Sequence, residues 1–311
     1  MARVVVVGGL NMDIHLFGLK ESAGQAPLLA ARHLAQPGGK AANVARAVAR
    51  LGVPVTLVAR VGDDDFGRQC VVAAEADGVD VSGVVRTPDE PTGFVAIELD
   101  EGKHRSLVFS PGANESLGWE EVAPHVAGLR PSDIVVAQAE LPPPTLAALA
   151  HELARQGVPL FLDPTPPERV RREQLVTAEV ITPDLGEAAA LTGRLAGSHL
   201  WPVFAARELR AAGARRVLLK TAEDGAILLD DDGLREVPTA RVEVADETGA
   251  GDVFLAALAV SRLGGEGWER ATSVANAAAA LSVSRMGLAL PSPAEVEALA
   301  ATLGAPVLRD T

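Results

Sequence analysis

The sequence predicts an α/β protein: a parallel sheet covered by helices on both faces. Two observations carry the prediction. Apolar runs such as Val4–Val7 and Val55–Arg60 lack polar alternation, as strands buried on both faces do. After residue 130, strand-like and helix-like segments alternate to the end of the chain, the pattern of βαβ units. In order, Arg3–Gly8 reads as a buried strand closed by Gly8 and Gly9. A helix opens within Gln36–Asn43, with Val44, Ala47, Val48 and Leu51 on one stripe and Gly52 as its stop. Val55–Arg60 is the next strand, followed by a helix from Phe66 to Ala76 that places Cys70 in the core. Later strands fit Ile134–Ala139, Pro159–Asp163, Glu179–Thr182, Arg216–Lys220 and Ala226–Leu229. Later helices fit Pro144–Gln156, Gly186–Thr192, Pro202–Ala212, Gly251–Leu263, Trp268–Ser284 and Pro293–Leu303.

Two stretches stand outside this alternation. Residues 14–36 are short and mixed, without a helix period. Residues 92–110 alternate like a hairpin with Asp100-Glu-Gly102 as the turn. Together they predict a small separate sheet. Asp230-Asp-Asp232 reads as a solvated hairpin turn, and the six histidines show no metal-ligand spacing.

Composition narrows the function. With 311 residues, a net charge of −13 and 48% hydrophobic residues, the chain has a large core and an acidic surface. That charge argues against nucleic acid or an anionic membrane as the main partner. One cysteine excludes an intrachain disulfide framework and suits a reducing, cytoplasmic setting. No apolar run reaches membrane-spanning length.

The most informative stretch is Asp246-Glu-Thr-Gly-Ala-Gly-Asp252, followed at once by an apolar helix pattern. Gly249, Ala250 and Gly251 let the backbone turn tightly and aim its N–H groups from a helix N-terminus, an arrangement that attracts an anion. Asp252 in the first turn is a candidate general base, and an N-cap is its plainer role. In open α/β sheets ligands bind beyond the C-terminal strand ends. Asn11 and Asp13, Glu140, Asp163, Asp184 and Glu187, and Lys220 with Thr221 all fall there. Asn11 and Asp13 share a face if extended, or form an Asx turn. Gln36-Pro-Gly-Gly-Lys-Ala-Ala-Asn43 opens a helix with two glycines for close ligand approach and Lys40 and Asn43 as donors. It is not a P-loop, because Ala41 stands where Ser or Thr is needed.

With the Gly38-Gly-Lys-Ala-Ala-Asn43 and Asp246–Asp252 motifs about two hundred residues apart and in this order, the chain resembles the ribokinase-like, or phosphofructokinase B, carbohydrate kinases. Gly9-Leu-Asn-Met-Asp13, Val61-Gly-Asp-Asp-Asp65, Ser110-Pro-Gly-Ala-Asn114 and Ile181-Thr-Pro-Asp-Leu-Gly-Glu187 add to the likeness, which is closest to the ribokinase branch. The resemblance implies one domain over 1–311: a three-layer αβα sandwich with a mostly parallel central sheet and a β-sheet lid at about 14–36 and 92–110. It implies transfer of the ATP γ-phosphoryl group to a sugar hydroxyl. Asn11, Asp13, Gly39, Lys40, Asn43 and Glu140 would hold the sugar, Asp252 would be the base, and Gly249, Ala250 and Gly251 the anion hole. Thr221, Gly225, Gly251 and Asn276 would line the nucleotide site. The family's Asn-x-x-Glu appears here as Asp184-Leu-Gly-Glu187, whose two carboxylates would serve Mg²⁺. A glutamate frequent at the start of the lid is Gln25 here. Asp246, Thr248 and Ser292 match positions for a monovalent cation, K⁺. Ribose is the first expected substrate. Fructose, 2-keto-3-deoxygluconate or a nucleoside are alternatives, and a catalytically silent sugar-binding protein on the same fold is the reading from another class. A homodimer formed through the lid is expected, since an apolar lid face left open invites aggregation.

Overall fold

The computed structural model describes residues 2–19, 29–100, 103–193 and 201–309. Fourteen strands are seen there: β1 (Val4–Val7), β2 (Asn11–Phe17), β3 (Arg32–Gly38), β4 (Val55–Gly62), β5 (Asp80–Thr87), β6 (Phe94–Asp100), β7 (Lys103–Ser110), β8 (Ile134–Gln138), β9 (Leu160–Asp163), β10 (Val180–Ile181), β11 (Val217–Lys220), β12 (Ala226–Asp230), β13 (Gly233–Val237) and β14 (Val307–Arg309). The α-helices are α1 (Lys40–Arg50), α2 (Asp65–Ala76), α3 (Trp119–Val126), α4 (Pro143–Gln156), α5 (Arg172–Thr177), α6 (Leu185–Thr192), α7 (Trp201–Ala211), α8 (Ala250–Leu263), α9 (Trp268–Val283) and α10 (Pro293–Ala300).

Ten strands form one sheet in the order β14-β13-β12-β11-β10-β9-β8-β1-β4-β5, parallel from β5 to β11 and antiparallel beyond. The period of two decides the layers. In β1, Val4 and Val6 join one core with residues of α1, α2, α8, α9 and α10, while Val5 and Val7 join a second with α3 to α7. The sheet therefore has helices on both faces, as its unalternating strands required.

The strand order reverses at β1, flanked by β4 on one side and β8 on the other. The side-chain-free gap beyond such a reversal is where an α/β sheet binds ligands. Over this end stands a second sheet, β3-β2-β6-β7, which is the expected lid. Asn11 and Asp13 belong to its first strand and point to one face, so the extended reading holds over the Asx turn. Gln25 and the Glu101-Gly102 part of the lid turn lie outside the described residues.

Several elements go beyond the sequence expectation. β5 is a sheet-edge strand with polar positions, and α3 carries an internal proline, Pro124, so neither shows a clean period. α5, β13 and β14 are short. Asp230 is a correction: it is not a solvated turn residue. It is buried at the end of β12 and accepts from Arg216 at 3.2 Å and also from Arg235, while Asp231 and Asp232 are exposed. His15 is likewise buried inside the lid, 3.0 Å from Gln36 Nε2. Cys70 lies in the core, its thiol pushed up to about 12 mainly by burial, with Asp13 and Asp64 adding to the effect.

Candidate active site

Asp252 sits in the first turn of α8, 4% exposed, and its Oδ2 accepts from Asn43 Nδ2 at 2.9 Å. It makes no capping hydrogen bond; the cap position belongs to Gly249, left-handed at φ 72°. A Cβ at Gly249 would also lie 2.4 Å from Leu288 Cδ1, so the turn needs glycine twice over. Within this turn the Ala250 amide donates to Glu247 O at 3.3 Å and Val253 N to Gly249 O at 2.9 Å. Among the described residues the amides of Gly249, Gly251 and Asp252 have no carbonyl partner, so of the expected anion hole of Gly249, Ala250 and Gly251 the Ala250 amide is the one taken up. Burial pushes the Asp252 carboxyl up, opposed by Lys40 and by the Asn43 hydrogen bond. A carboxyl raised above its usual range is better matched to taking a proton from a hydroxyl.

The residues expected to hold the sugar converge on it from three elements. α1 opens directly after β3, where Gly38 and Gly39 leave no side chain between the lid and the core. A Cβ at Gly38 would fall 2.0 Å from Asp13 Oδ2, and one at Gly39 would fall 2.6 Å from Gly9 O. The Asp13 carboxylate therefore lies against bare backbone. Burial raises it to about 7, Asp252 adding to the rise and Lys40 opposing it. Glu140, just beyond β8, packs its Oε2 against Gly9, and that oxygen is buried without a partner. Burial again raises this carboxyl to about 7, with Lys40 opposing and Asp252, Asp163 and Asp13 adding. Burial alone would lower the Lys40 ammonium, but Asp252, Asp163, Glu140 and Glu187 hold it above its ordinary range. Lys40 therefore keeps its proton and stays a donor here.

Asn114 completes this side. Its Nδ2 donates to Asn11 Oδ1 at 2.6 Å and to Pro111 O at 2.8 Å, and its Oδ1 accepts from Leu10 N at 3.0 Å. It orients Asn11 and fixes the β1–β2 link. The sequence marks Asn114 through the Ser110-Pro-Gly-Ala-Asn114 motif but not its pairing with Asn11, since the two residues are 103 positions apart.

The residues expected to line a nucleotide site divide. Thr221 N donates to Gly225 O at 2.9 Å and Gly225 N to Ala222 O at 3.0 Å, forming a tight loop after β11. Asn276 is buried, and its Nδ2 donates to Val237 O and Pro238 O at 2.9 and 3.1 Å. Its amide donors thus shape the exit of β13 rather than reach outward. Asp184 and Glu187 form a reciprocal capping box at α6: Glu187 N donates to Asp184 Oδ1 at 2.7 Å and Asp184 N to Glu187 Oε2 at 2.8 Å. Glu187 also accepts from Thr165 Oγ1. Among the described residues there is no cluster of three His, Cys, Asp or Glu side chains able to cage a metal.

Asp246 ties two loops together, accepting from Thr248 N and Gly287 N, both at 2.9 Å. Thr248 Oγ1 is buried without a partner, an oxygen suited to a cation. Ser292 is different: its hydroxyl donates to Glu295 Oε2 at 2.7 Å and caps α10. Sequence reasoning also left Lys220 and Asp163 without a role. They lie at the ends of β11 and β9, with Lys220 Nζ 3.4 Å from Asp163 Oδ1. Their position at C-terminal strand ends was the available signal.

The chain as a whole is similar to known proteins. The chain is 30% identical to the ribokinase of Bacillus subtilis over 301 residues, covering 96% of this chain and 99% of that one. The ribokinase structure from Thermotoga maritima superposes with a TM-score of 0.85 at 30% identity, covering 96% of this chain and 99% of that chain. The Arabidopsis thaliana ribokinase, solved with ribose and ATP, gives a TM-score of 0.84 at 28% identity, with 96% and 99% covered. The model of the pfkB family carbohydrate kinases matches residues 1–295. With its sandwich, its four-stranded lid and a buried aspartate at a glycine-headed helix, the chain belongs to the pfkB family of carbohydrate kinases, ATP-dependent phosphotransferases of the ribokinase branch.

Proposed function

We propose that this enzyme phosphorylates a hydroxyl of a neutral sugar, ribose being the first candidate, with Asp252 as the general base. The observation that carries the proposal is the placement of Asp252: buried, bonded to Asn43 and not to a backbone amide, at the head of the helix whose free amides would hold the transferred group. The sugar hydroxyl would lie within hydrogen-bond reach of Asp252 and surrender its proton as its oxygen attacks the γ-phosphorus. The bond to the β-phosphate bridging oxygen breaks, and ADP leaves with that electron pair. Catalysis of this kind is mainly positioning and charge neutralisation, so no Walker lysine is required.

The lining favours an uncharged acceptor. Burial and the neighbouring carboxylates already push the Asp13 and Glu140 carboxyls up, so a further negative charge on the substrate would be disfavoured there, while both groups can pair with hydroxyls; Asn11 is oriented beside them. That argues for ribose or fructose over 2-keto-3-deoxygluconate. Thr221 and Gly225 would border the nucleotide, while Asp184 and Glu187 would hold hydrated Mg²⁺, which supplies charge neutralisation at the phosphates. K⁺ would sit at Asp246 and Thr248, where the orphaned hydroxyl gives it a ligand.

The test is magnesium-dependent ADP release across a panel of ribose, fructose, 2-keto-3-deoxygluconate and nucleosides. Highest kcat/KM with ribose supports the reading. Preference for the sugar acid would overturn the assignment of a neutral acceptor, and no turnover with any of them would overturn the kinase assignment for these acceptors.

A further inference from the structure

Resting on the phosphotransfer reading, we infer that Lys220 is a further catalytic residue, whose ammonium binds the transferred phosphoryl group, and that Asp163 is the residue positioning it. Lys220 ends β11 with a side chain only 16% exposed. A Cβ added to Gly251 would lie 3.3 Å from its Nζ, so the ammonium lies directly against the free-amide turn of α8. A side chain at Gly251 would press on the ammonium and move it by a few tenths of an ångström.

Its hydrogen bonding is incomplete. An ammonium has three donors, yet the one acceptor seen among the described residues is Asp163 Oδ1 at 3.4 Å. That is well beyond the roughly 2.7–2.9 Å of a strong charge-assisted bond. A lysine enclosed this far with donors to spare is costly unless an anion completes its shell. The γ-phosphoryl oxygens, set against the Gly251 and Asp252 amides, are the anions this position would meet. Charge spreads over those oxygens in the transition state, and fixed cations beside them stabilise it.

Asp163, buried on β9, draws Lys220 to its own side of the cleft. Glu187 is the next carboxylate that acts on the same ammonium, and Asp163 holds it away from that side. The two lysines then divide the work: Lys40 would serve the sugar side and Lys220 the phosphate side.

The test uses the full chain with Lys220→Met, Lys220→Arg and Asp163→Asn/Lys220→Met. The double variant removes the partner carboxylate along with the cation, so it reports if the single variant does not fold. The expected result is a kcat about 10²–10³-fold lower in Lys220→Met, with sugar KM little changed and at least tenfold recovery in Lys220→Arg. Calorimetry should show ATP affinity falling about tenfold while AMP affinity holds. Folded Lys220→Met, or the double variant, turning over within about threefold of the parent would overturn the inference. So would an equal loss of ATP and AMP binding, which marks a structural role only. These outcomes are separate from the sugar-kinase reading, which fails when the unaltered protein phosphorylates no sugar; the ATP-against-AMP comparison is readable without turnover.

Discussion

Replacing Asp252 with asparagine separates chemistry from architecture at one atom. Asp252→Asn keeps the shape and can still accept from Asn43 Nδ2, now through its carbonyl oxygen at the place Oδ2 holds at 2.9 Å. It removes the basicity. General base catalysis contributes about 10²–10⁴-fold, so kcat should fall by that factor, about 2.7–5.4 kcal/mol at roughly 1.36 kcal/mol per tenfold. Stability should not fall with it. The carboxylate is raised by burial, so its ionised form opposes folding, and it caps no helix. The melting temperature of the variant at pH 7 should therefore match or exceed that of the parent. ATP affinity should stay close to the parent value. Steady-state kinetics on protein verified as folded is the assay. Full turnover in a folded Asp252→Asn enzyme would refute the mechanism, and a clear drop in melting temperature would refute the electrostatic account of the site.

Further outcomes follow from the same geometry. Gly38→Ala puts a methyl 2.0 Å from the Asp13 carboxylate and must displace it; sugar KM should rise at least about tenfold at a stability cost of about 1–3 kcal/mol, and an unchanged KM would release Asp13 from sugar binding. Asp13 and Glu140 both rise from ordinary carboxylate values to about 7. Between pH 4 and 7 the folded state then holds more protons than the unfolded one, so the ligand-free protein should lose stability as pH rises through that window. Asp13→Asn should flatten the slope in a melting-temperature series, and a flat series for the parent protein would contradict the burial of these groups. The lid face that carries Asp13 also exposes Leu34, Leu107 and Phe109, at 46%, 58% and 44%. A second copy should cover it, and light scattering giving a monomer at micromolar concentration would remove the lid dimer. Activity should rise when K⁺ replaces tetramethylammonium at equal ionic strength, and equal rates in the two salts would leave Thr248 Oγ1 without its proposed ligand.

The sequence by itself determined the layered α/β core, because strands such as Val4–Val7 are apolar at every position and can only be buried on both faces. It also determined the glycine-headed helix with Asp252 and the gathering of polar residues such as Asp163 and Lys220 at the C-terminal strand ends, since these depend on local backbone freedom and on the alternation of elements. The tertiary structure alone decided which polar groups at those ends face one another. Asn11 meets Asn114 across 103 positions, Lys220 meets Asp163 across 57, and Asn43 meets Asp252 across 209. No local pattern encodes such pairings. The tertiary structure also separated residues that look alike in sequence. Asp230 is buried between two arginines while Asp231 beside it is exposed, and Asn276 spends its donors on backbone. Periodicity records which face of an element is apolar; burial of a polar side chain depends on the charges that distant segments bring to it, and those exist only once the chain has folded.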